Sequence, residues 1–580
     1  MSVLVARPLD MPRLTGARHS IVALAPARIV MLLMLITAGV MLVLIKLAWF
    51  AAFAAPATTR DAAAALVPLR GDITDRHGVP LARTIDAWSI GVHPRKLINN
   101  PRELADKLAA LMPNHDARWY ERKLTSKEPF AFLYRRAMPE VVKAVNAVGE
   151  PGIAYLREPE RLYPQSTLAA HALGSLDIDA VGIRGAERAF EDDLVNPLLR
   201  AKPVALSLDT RVQAAMESEL GAAMASFQAQ AAAGLVLDVH TGEVIAMVSL
   251  PNYDANKLPK VLNPQDRNDP GMRRLWNNAT LSVYELGSTF KPIAMALAID
   301  SGVVSSMSRR FDARAPIVTG RFTIRDDHPQ KRYLNIPETL VHSSNIATAR
   351  IGQELGEARL RGMFTAMGFD TRPDIETAER GWPLWPDPWT KASTMTTGYG
   401  HGISVTPLHL ASAFAALVNG GIWRPATLRK VAPGAAPAGR RVISEATSAR
   451  MRQLLRLVVL KGTGEKAEAP GYRVGGKTGT AEIGMKSGYS KKRNVSSFAA
   501  AFPMDAPRYV VVALLDSPRG NLKSAGQATA GWTVAPVVSR VIMRTGFLLG
   551  VMPDMKRDVD VSELLPLLWE APGAAKVVPE

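Results

Sequence analysis

The longest apolar run in the chain lies close to its N-terminus. Residues 29–50 are apolar except for Thr37, Gly39 and Lys46, and the apolar character continues to Ala55. Because a helix needs about 20 mostly apolar residues to cross a bilayer, this run predicts one transmembrane helix over residues 29–50. No second run of this length occurs in the sequence. We therefore expect a single span.

The residues around this run predict its orientation. Residues 1–28 contain four arginines and one acidic residue, Asp10. Positive charge stays on the cytoplasmic side, so we expect residues 1–28 to be a cytoplasmic tail of an inner-membrane protein, with the chain beyond about residue 56 in the periplasm. A cleaved signal peptide is the alternative, because Ala55-Pro56-Ala57 resembles a cleavage site. The long leader and the long apolar run favour an uncleaved anchor.

Shorter patterns after the anchor predict a first folded region. Residues 70–82 predict two strands joined by a tight turn at His77-Gly78, and residues 100–150 have helical spacing of apolar positions. A segment punctuated by Gly182 and Gly185 opens a further helix. These segments have the character of a scaffold. We expect residues 56–203 to form a non-catalytic pedestal domain.

The pattern after Pro203 predicts a second domain over residues 204–555. Apolar runs bounded by turn residues predict strands at 204–208, 233–239, 244–249, 474–480, 498–502 and 509–515. Between them the spacing is mostly helical. Strands at both ends of the domain predict an α+β fold, in which an antiparallel sheet is flanked by helices and carries an inserted helical lobe. The acidic, proline-rich residues 556–580 are expected to be a loosely held C-terminal tail.

Composition narrows the possible chemistry. The chain has 70 lysines and arginines against 53 aspartates and glutamates, a net charge of +17, and no cysteine. A disulfide framework, a thiol nucleophile and a thiolate metal site are therefore excluded. The basic charge fits a solvated surface or attraction to anionic lipid or cell-wall polymer. A nucleic-acid partner is disfavoured, because the sequence contains no recognisable nucleic-acid-binding motif.

The first of three short motifs is Ser288-Thr289-Phe290-Lys291. Gly287 allows a tight turn into an apolar helical run, so we expect Ser288 on the first helical turn with Lys291 on the same face. Lys291 can act as a base toward the serine hydroxyl if burial and a second cation, for which Lys477 is suited, lower its pKa. Taken alone, this spacing most often marks a helix cap and a solvated lysine.

The second motif, Ser343-Ser344-Asn345, precedes another helical run. Ser343 is suited to pass a proton between Lys291 and a leaving amine, and Asn345 to bind a substrate amide and orient Lys291. An ordinary helix cap is an equally good interpretation of this motif by itself.

The third motif, Lys477-Thr478-Gly479-Thr480, lies on a predicted strand. Gly479 would leave room for an extended ligand to pair with that strand. Lys477 and the hydroxyls of Thr478 and Thr480 would bind a terminal carboxylate, and the Thr480 N–H would serve an oxyanion. A metal site at Asp326-Asp327-His328 is disfavoured, and no metal or other cofactor is expected.

The three motifs in this order predict an enzyme that attacks a peptide carbonyl with serine and is acylated by penicillins. The chain resembles the class B penicillin-binding proteins, monofunctional D,D-transpeptidases that cross-link peptidoglycan. The resemblance rests on the three motifs, on segments near Arg70 and Glu187, and on Gly462-Thr463-Gly464. Residues 399–408 look most like the cell-division (septal) branch. Leu286 stands where the family usually has proline, which should affect the rigidity of the turn rather than the chemistry.

The resemblance implies that Ser288 is the nucleophile, Lys291 the base, and Ser343 and Asn345 the relay and orienting residues. It further implies peptidoglycan stem peptides as substrates, β-lactams as covalent ligands, and a polytopic lipid II-polymerising glycosyltransferase among other division proteins as partners. Two alternatives stay open. One is an elongation-specific class B transpeptidase, and the other is a non-enzymatic division scaffold with a vestigial site.

Overall fold

The computed structural model describes residues 17–53, 70–85, 87–320, 322–485 and 488–569. The chain divides into two compact units, residues 1–67 and residues 68–580. In the first unit one helix, α1 (Ala17–Phe53), contains the predicted span. Its segment Ile29–Trp49 has a mean hydropathy of 2.6, and its large apolar side chains are exposed. This segment is long and apolar enough to cross a membrane. Residues 55–57 lie outside the described residues.

The second unit begins with short strands and helices that hold no motif residue. Its first strands are β1 (Ile73–Thr74), β2 (Pro80–Ile85), β3 (Trp88–Val92), β4 (Ala131–Ala137), β5 (Ile153–Arg157), β6 (Glu160–Leu162), β7 (Ser175–Leu176) and β8 (Gly182–Arg184). Its helices are α2 (Pro101–Leu111), α3 (Ala117–Leu124), α4 (Pro139–Asn146), α5 (Ala170–Leu173), α6 (Gly185–Ala189) and α7 (Glu191–Val195).

Strand β4 corrects the expectation of continuous helix between residues 100 and 150. Its burial alternates along the strand, with Leu133 buried and Phe132 exposed. The residues Ala131 to Tyr134 are all apolar or aromatic, so the alternation that marks a strand is invisible in the sequence. The predicted turn at Gly78 does join β1 to β2, with the left-handed φ of 85° that glycine permits.

A buried ion cluster holds this region together. The Glu187 carboxylate is fully buried and accepts hydrogen bonds from Arg70 Nε and Arg161 Nε, both at 2.7 Å. Arg70 also pairs with Glu191 at 2.7 Å. Buried charges are tolerated when each is paired and hydrogen-bonded, as these are. The sequence segments near Arg70 and Glu187 therefore have a structural role.

The remaining elements build the domain that holds the motifs. Its strands are β9 (Val204–Ala205), β10 (Ala231–Asp238), β11 (Val244–Leu250), β12 (Phe311–Asp312), β13 (Ile317–Thr319), β14 (Phe322–Ile324), β15 (Tyr333–Leu334), β16 (Ile422–Trp423), β17 (Arg440–Arg441), β18 (Gly475–Met485), β19 (Gly488–Phe502) and β20 (Tyr509–Asp516). Its helices are α8 (Thr210–Ser226), α9 (Pro270–Leu275), α10 (Lys291–Asp300), α11 (Ile336–Val341), α12 (Asn345–Ala366), α13 (Lys391–Thr397), α14 (Pro407–Val418), α15 (Glu445–Lys461), α16 (Ala530–Thr533) and α17 (Ala535–Thr545).

The central sheet has five antiparallel strands in the order β11-β10-β20-β19-β18. Strands from the two ends of the domain are neighbours, because β10 pairs with β20 from Ala231↔Asp516 to Asp238↔Tyr509. Side chains of β10 alternate between two cores, with Leu235 in one and Val236 in the other. The predicted α+β fold, with a sheet built from both ends and a helical lobe between, is confirmed.

The C-terminal segment corrects another expectation. Residues 556–569 are held against the domain rather than loose: Leu564 is buried, and Asp558 accepts from Arg456 Nε at 2.8 Å. The backbone N–H of Trp569 donates to Glu338 Oε1 at 3.0 Å. The acidic residues that suggest a solvated tail thus include partners for basic residues of α15.

Candidate active site

Ser288 lies in a tight turn directly before a helix. The turn is a 3₁₀ helix, Gly287–Phe290, and α10 begins at Lys291. Gly287 has a left-handed φ of 55°, and a Cβ atom there would lie 2.8 Å from the Thr480 carbonyl oxygen. Only glycine combines this backbone with this close approach. Ser288 is thereby held beside strand β18, near the predicted position on the first helical turn.

Lys291 is fully buried and is directed at the second motif. Its Nζ donates to the Ser343 carbonyl oxygen, and to Ser343 Oγ at 3.1 Å. Burial lowers the pKa of Lys291 to about 7, although the charges of Asp326 and Asp327 act in the opposite direction. A lysine with this pKa is substantially unprotonated at neutral pH, as a base must be.

Lys477 approaches the same hydroxyl from strand β18. It is also fully buried, and its Nζ donates to Ser343 Oγ at 2.9 Å and to the Thr478 carbonyl oxygen at 3.2 Å. Burial, and then the charge of Lys291, lower the pKa of Lys477 well below its ordinary value. Lys477 is therefore joined to Lys291 through one serine oxygen, but burial alone lowers the pKa of Lys291, and the charge effect acts from Lys291 on Lys477.

Ser343 occupies a strained backbone conformation to make these contacts. Its φ is 55°, a left-handed value that residues other than glycine rarely adopt. A hydroxyl offers two lone pairs and one proton. With both lysine amines as donors to its oxygen, Ser343 has its own proton left to donate. Ser343 also lines the cleft, so its geometry is suited to a proton relay.

Asp326 holds the second motif in place, a role that the sequence did not reveal. Its two carboxylate oxygens accept hydrogen bonds from Ser344 Oγ at 2.8 Å and from the Ile346 N–H at 2.9 Å. Ser344 in turn accepts the Ala347 N–H at 3.0 Å and caps α12. Both oxygens of the Asp326 carboxylate therefore bind the start of this helix, and its role is structural.

Asn345 lies beside the cleft with a different partner from the one expected. Its Nδ2 donates to the Arg325 carbonyl oxygen at 2.9 Å. No hydrogen bond joins Asn345 to Lys291 within the described ranges. The bond to Arg325 leaves the second N–H and the Oδ1 atom of Asn345 for a substrate amide, whose binding there remains a prediction.

The third motif forms one wall of the cleft. A Cβ atom at Gly479 would lie 2.3 Å from the Leu286 carbonyl oxygen, so the absence of a side chain here admits the Ser288 turn. The expected pairing of this strand with an extended ligand remains a prediction. The Thr478 hydroxyl lies 2.6 Å from that of Thr463, a residue of the site that lies outside the three motifs. Thr480 Oγ1 accepts the Ala530 N–H at 3.1 Å.

The motif residues surround a cleft of about 350 Å³. Its lining consists of Ser288, Asp327, His328, His342, Ser343, Gly462, Thr463, Glu465, Lys466, Thr478, Thr480, Thr529, Gly531 and Trp532. Lys291 and Lys477 are buried next to this lining, joined to Ser343. Lys466 lies 4.1 Å from the ring centroid of Trp532. The cleft thus presents a serine hydroxyl and a row of hydroxyl donors to one ligand, and Ser343 connects this lining to the buried amine pair.

Comparison with known sequences identifies the family. The profile described as Penicillin binding protein transpeptidase domain matches residues 232–539, more than half of the chain. The profile described as Penicillin-binding Protein dimerisation domain matches residues 65–195. The chain belongs to the class B penicillin-binding proteins. Membership implies interaction with peptidoglycan and β-lactams, as the motifs predict.

Relatives extend this assignment along the chain. The probable peptidoglycan D,D-transpeptidase FtsI of Caulobacter vibrioides is 41% identical over 496 residues, 83% of this chain and 82% of the relative. The peptidoglycan D,D-transpeptidase FtsI of Escherichia coli K12 is 28% identical, covering 87% of this chain and 88% of the relative. The resemblance to class B penicillin-binding proteins is confirmed.

A solved structure supports the fold of this penicillin-binding protein. Penicillin-binding protein 3 of Mycobacterium tuberculosis, complexed with aztreonam, superposes with a TM-score of 0.62 at 25% identity. The match covers 83% of this chain and 96% of the other. The predicted penicillin-binding transpeptidase fold is therefore confirmed.

The acylation rate should follow the deprotonation of Lys291. A protonated amine cannot accept the Ser288 proton, and burial lowers the pKa of Lys291 to about 7. We expect the second-order rate constant for acylation by benzylpenicillin to fall about tenfold per pH unit below pH 7 and to level off above it. Rapid-quench labelling across the neutral range measures this. A rate independent of pH through this range would remove Lys291 from the role of base.

Asp326→Asn should slow acylation and shift its pH profile. The variant keeps only one good acceptor for Ser344 and Ile346, so we expect a loss of roughly 1–3 kcal/mol in the free energy of unfolding. Removing the charge that opposes the low pKa of Lys291 should also move the midpoint of the profile to lower pH.

Asp327→Asn is the matched control for the effect on stability, because removal of its charge should move the midpoint of the pH profile in the same direction. Asp327 lines the cleft but makes no hydrogen bond to residues 343–346 within the described part of the chain. Thermal unfolding and rapid-quench labelling of both variants give the comparison. Equal destabilisation by the two changes would show that Asp326 does not hold the motif.

Proposed function

We propose that this chain is a septal peptidoglycan D,D-transpeptidase that works through a serine acyl-enzyme. The observation that carries the proposal is the buried pair Lys291 and Lys477, joined through Ser343 Oγ beside Ser288. Two desolvated amines on one hydroxyl are costly to maintain and suit a proton-transfer site. The names of the FtsI relatives support the division role.

In the first half-reaction Ser288 Oγ attacks the carbonyl carbon of the penultimate D-Ala of a stem peptide. Neutral Lys291 takes the serine proton, and the backbone N–H groups of Ser288 and Thr480 stabilise the oxyanion. The C–N bond then breaks, and the proton passes through Ser343 to the nitrogen of the departing terminal D-Ala. An ester between Ser288 and the donor peptide remains.

In the second half-reaction an amine of a neighbouring stem peptide attacks this ester. The amine loses its proton to the same relay, a new amide bond forms, and the Ser288 hydroxyl is restored. Lys477, Thr478 and Thr480 bind the terminal carboxylate of the donor, while Asn345 binds its backbone. A β-lactam ring enters the same cleft and acylates Ser288, but its leaving group stays attached and deacylation is slow.

The organisation of the chain follows from this role. Residues 1–28 are a cytoplasmic tail, 29–50 the anchor, 56–203 the pedestal and 204–555 the transpeptidase domain, with 556–580 as the C-terminal tail. The anchor holds the enzyme on the periplasmic face of the inner membrane. The anchor and the pedestal contact a polytopic glycosyltransferase that polymerises lipid II, so that new strands are cross-linked where they are made.

A fluorescent penicillin, chased with unlabelled drug, tests the activity. We expect a covalent adduct that persists for many minutes in the wild type and is absent in Ser288→Ala and Lys291→Ala, because one variant lacks the nucleophile and the other its base. Ser301→Ala, at the other end of α10, is the matched control and should label normally. Normal labelling of Lys291→Ala would contradict its role, and an adduct lost within seconds would indicate a hydrolase. No adduct in the wild type would indicate a vestigial site.

The absence of cysteine allows a direct test of orientation. Single cysteines at Ser2→Cys and at Lys107→Cys, an exposed position of α2, give one reporter on each side of the anchor. A membrane-impermeant maleimide should modify the Lys107→Cys protein in intact spheroplasts and the Ser2→Cys protein only after lysis. The reverse pattern would place the transpeptidase domain in the cytoplasm and overturn the proposal.

A further inference from the structure

A second cleft lies at the C-terminal end of α12. The residues Ser343 and Asn345 lie at the opposite end of this helix. The cleft has a volume of about 660 Å³ and is lined by the last turn of α12, residues 367–374, the start of α14 and strands β16 and β17. None of its lining residues belongs to the three motifs. It is therefore separate from the catalytic cleft.

Three arginines, Arg372, Arg380 and Arg440, line this second cleft. None of them forms a salt bridge with a carboxylate in the part of the chain that the structure describes. Asp370 and Asp374 also line it, so the arginines outnumber the acids. The charges of Asp370 and Asp374 act on Arg440 without a salt bridge to it, and the cleft keeps an excess of one positive charge.

Arg440 is held in a position to receive a ligand. Its guanidinium carbon lies 3.6 Å from the ring centroid of Trp423, and its Nε donates to the Ala366 carbonyl oxygen at 2.9 Å. These two contacts fix the plane of the guanidinium. Its terminal nitrogens make no hydrogen bond within the described residues, so that edge is available for a bidentate acceptor.

Trp423 supplies a second and independent observation. Its side chain lines the cleft and is more than nine-tenths buried, and its indole N–H is buried without a hydrogen-bond partner in the described part of the chain. Trp276, Trp385 and Trp389, by contrast, each donate the indole N–H to a protein oxygen. A buried donor without an acceptor is unfavourable, so a ligand that accepts from it would be stabilised.

The groups that lack a hydrogen-bond partner indicate the chemistry of a ligand for this cleft. The Trp423 indole and the Arg380 Nε, which is also buried and unsatisfied, can only donate. His409 adds no charge, because burial lowers its pKa to about 4 and it bonds to the Thr371 carbonyl oxygen. These donors therefore require an acceptor, and because the arginines outnumber Asp370 and Asp374, an anionic acceptor fits the cleft best.

We propose that this second cleft is a binding site for a small ligand that carries a carboxylate or a phosphate group. Arg440 binds two oxygens of the anion through its free edge, and the positive charge of Arg380 neutralises the charge of the anion. Trp423 donates its indole N–H to a further oxygen. This proposal does not depend on the transpeptidase function.

Calorimetric titration of the full chain in detergent tests the proposal, with inorganic phosphate and succinate as probes at constant ionic strength. We expect saturable one-site binding with a dissociation constant on the order of 1 mM for one of them. Preference for phosphate would indicate a tetrahedral anion, and preference for succinate a planar carboxylate. Absence of saturable binding of both probes would overturn the proposal.

Three variants locate the site. Trp423→Phe keeps the ring beneath Arg440 but removes the N–H, and Arg440→Gln removes the bidentate edge, so each should weaken binding by about tenfold. Arg359→Gln, on α12 but outside the cleft, is the matched control and should bind as the wild type does. Unchanged affinity in the first two variants would also overturn the proposal.

Covalent penicillin labelling serves as the folding control for every variant, because none of these residues lies in the catalytic cleft. If Arg440→Gln fails to label, Arg380→Gln replaces it as a half-exposed position with the same expected loss of affinity.

Discussion

The structure of the active site depends on the burial of two lysine amines against one serine hydroxyl. Lys291 and Lys477 are both fully buried, and both donate to Ser343 Oγ. Removing an ammonium from water is so unfavourable that the amine gives up its proton more readily, and a like charge nearby adds to this. The same desolvation that would destabilise an ordinary core thus makes a basic amine available at neutral pH.

Such an arrangement requires rigid support, and the fold supplies it from three directions. Asp326 fixes the start of α12 and with it the strained backbone of Ser343. The sheet, built from both ends of the domain, presents Lys477 on its edge strand β18. Gly287 and Gly479 then let the Ser288 turn approach that strand more closely than any larger residue would permit. The spacing of the three motifs in sequence is wide because each is carried by a different element.

The sequence predicted the members of this site better than their contacts. Local patterns identified the sheet, the helical lobe and all three motifs, because periodicity and turn chemistry are properties of adjacent residues. The role of Asp326 could not be predicted in this way, since it follows from a fold that returns residue 326 to the start of α12. The close approach of Gly479 to the Leu286 carbonyl, more than 190 residues earlier in the chain, could not be predicted either. The docked segment 556–569 was missed for the same reason, because its acidic residues reveal their partners only in three dimensions.

The partners of the buried arginines in this protein differ from those of Arg440 in the second cleft. Where an arginine is deeply buried, the fold provides a carboxylate: Arg70 and Arg161 share Glu187, Arg456 pairs with Asp558, and Arg473 pairs with Asp505. An exposed arginine needs no such partner, because water and salt screen it. Arg440 is exposed at its edge yet fixed by stacking and by a backbone bond, and beside it lies the buried, unsatisfied indole N–H of Trp423. Screening by water accounts for the arginine but not for the indole, which is why an acceptor from outside the chain explains both observations together.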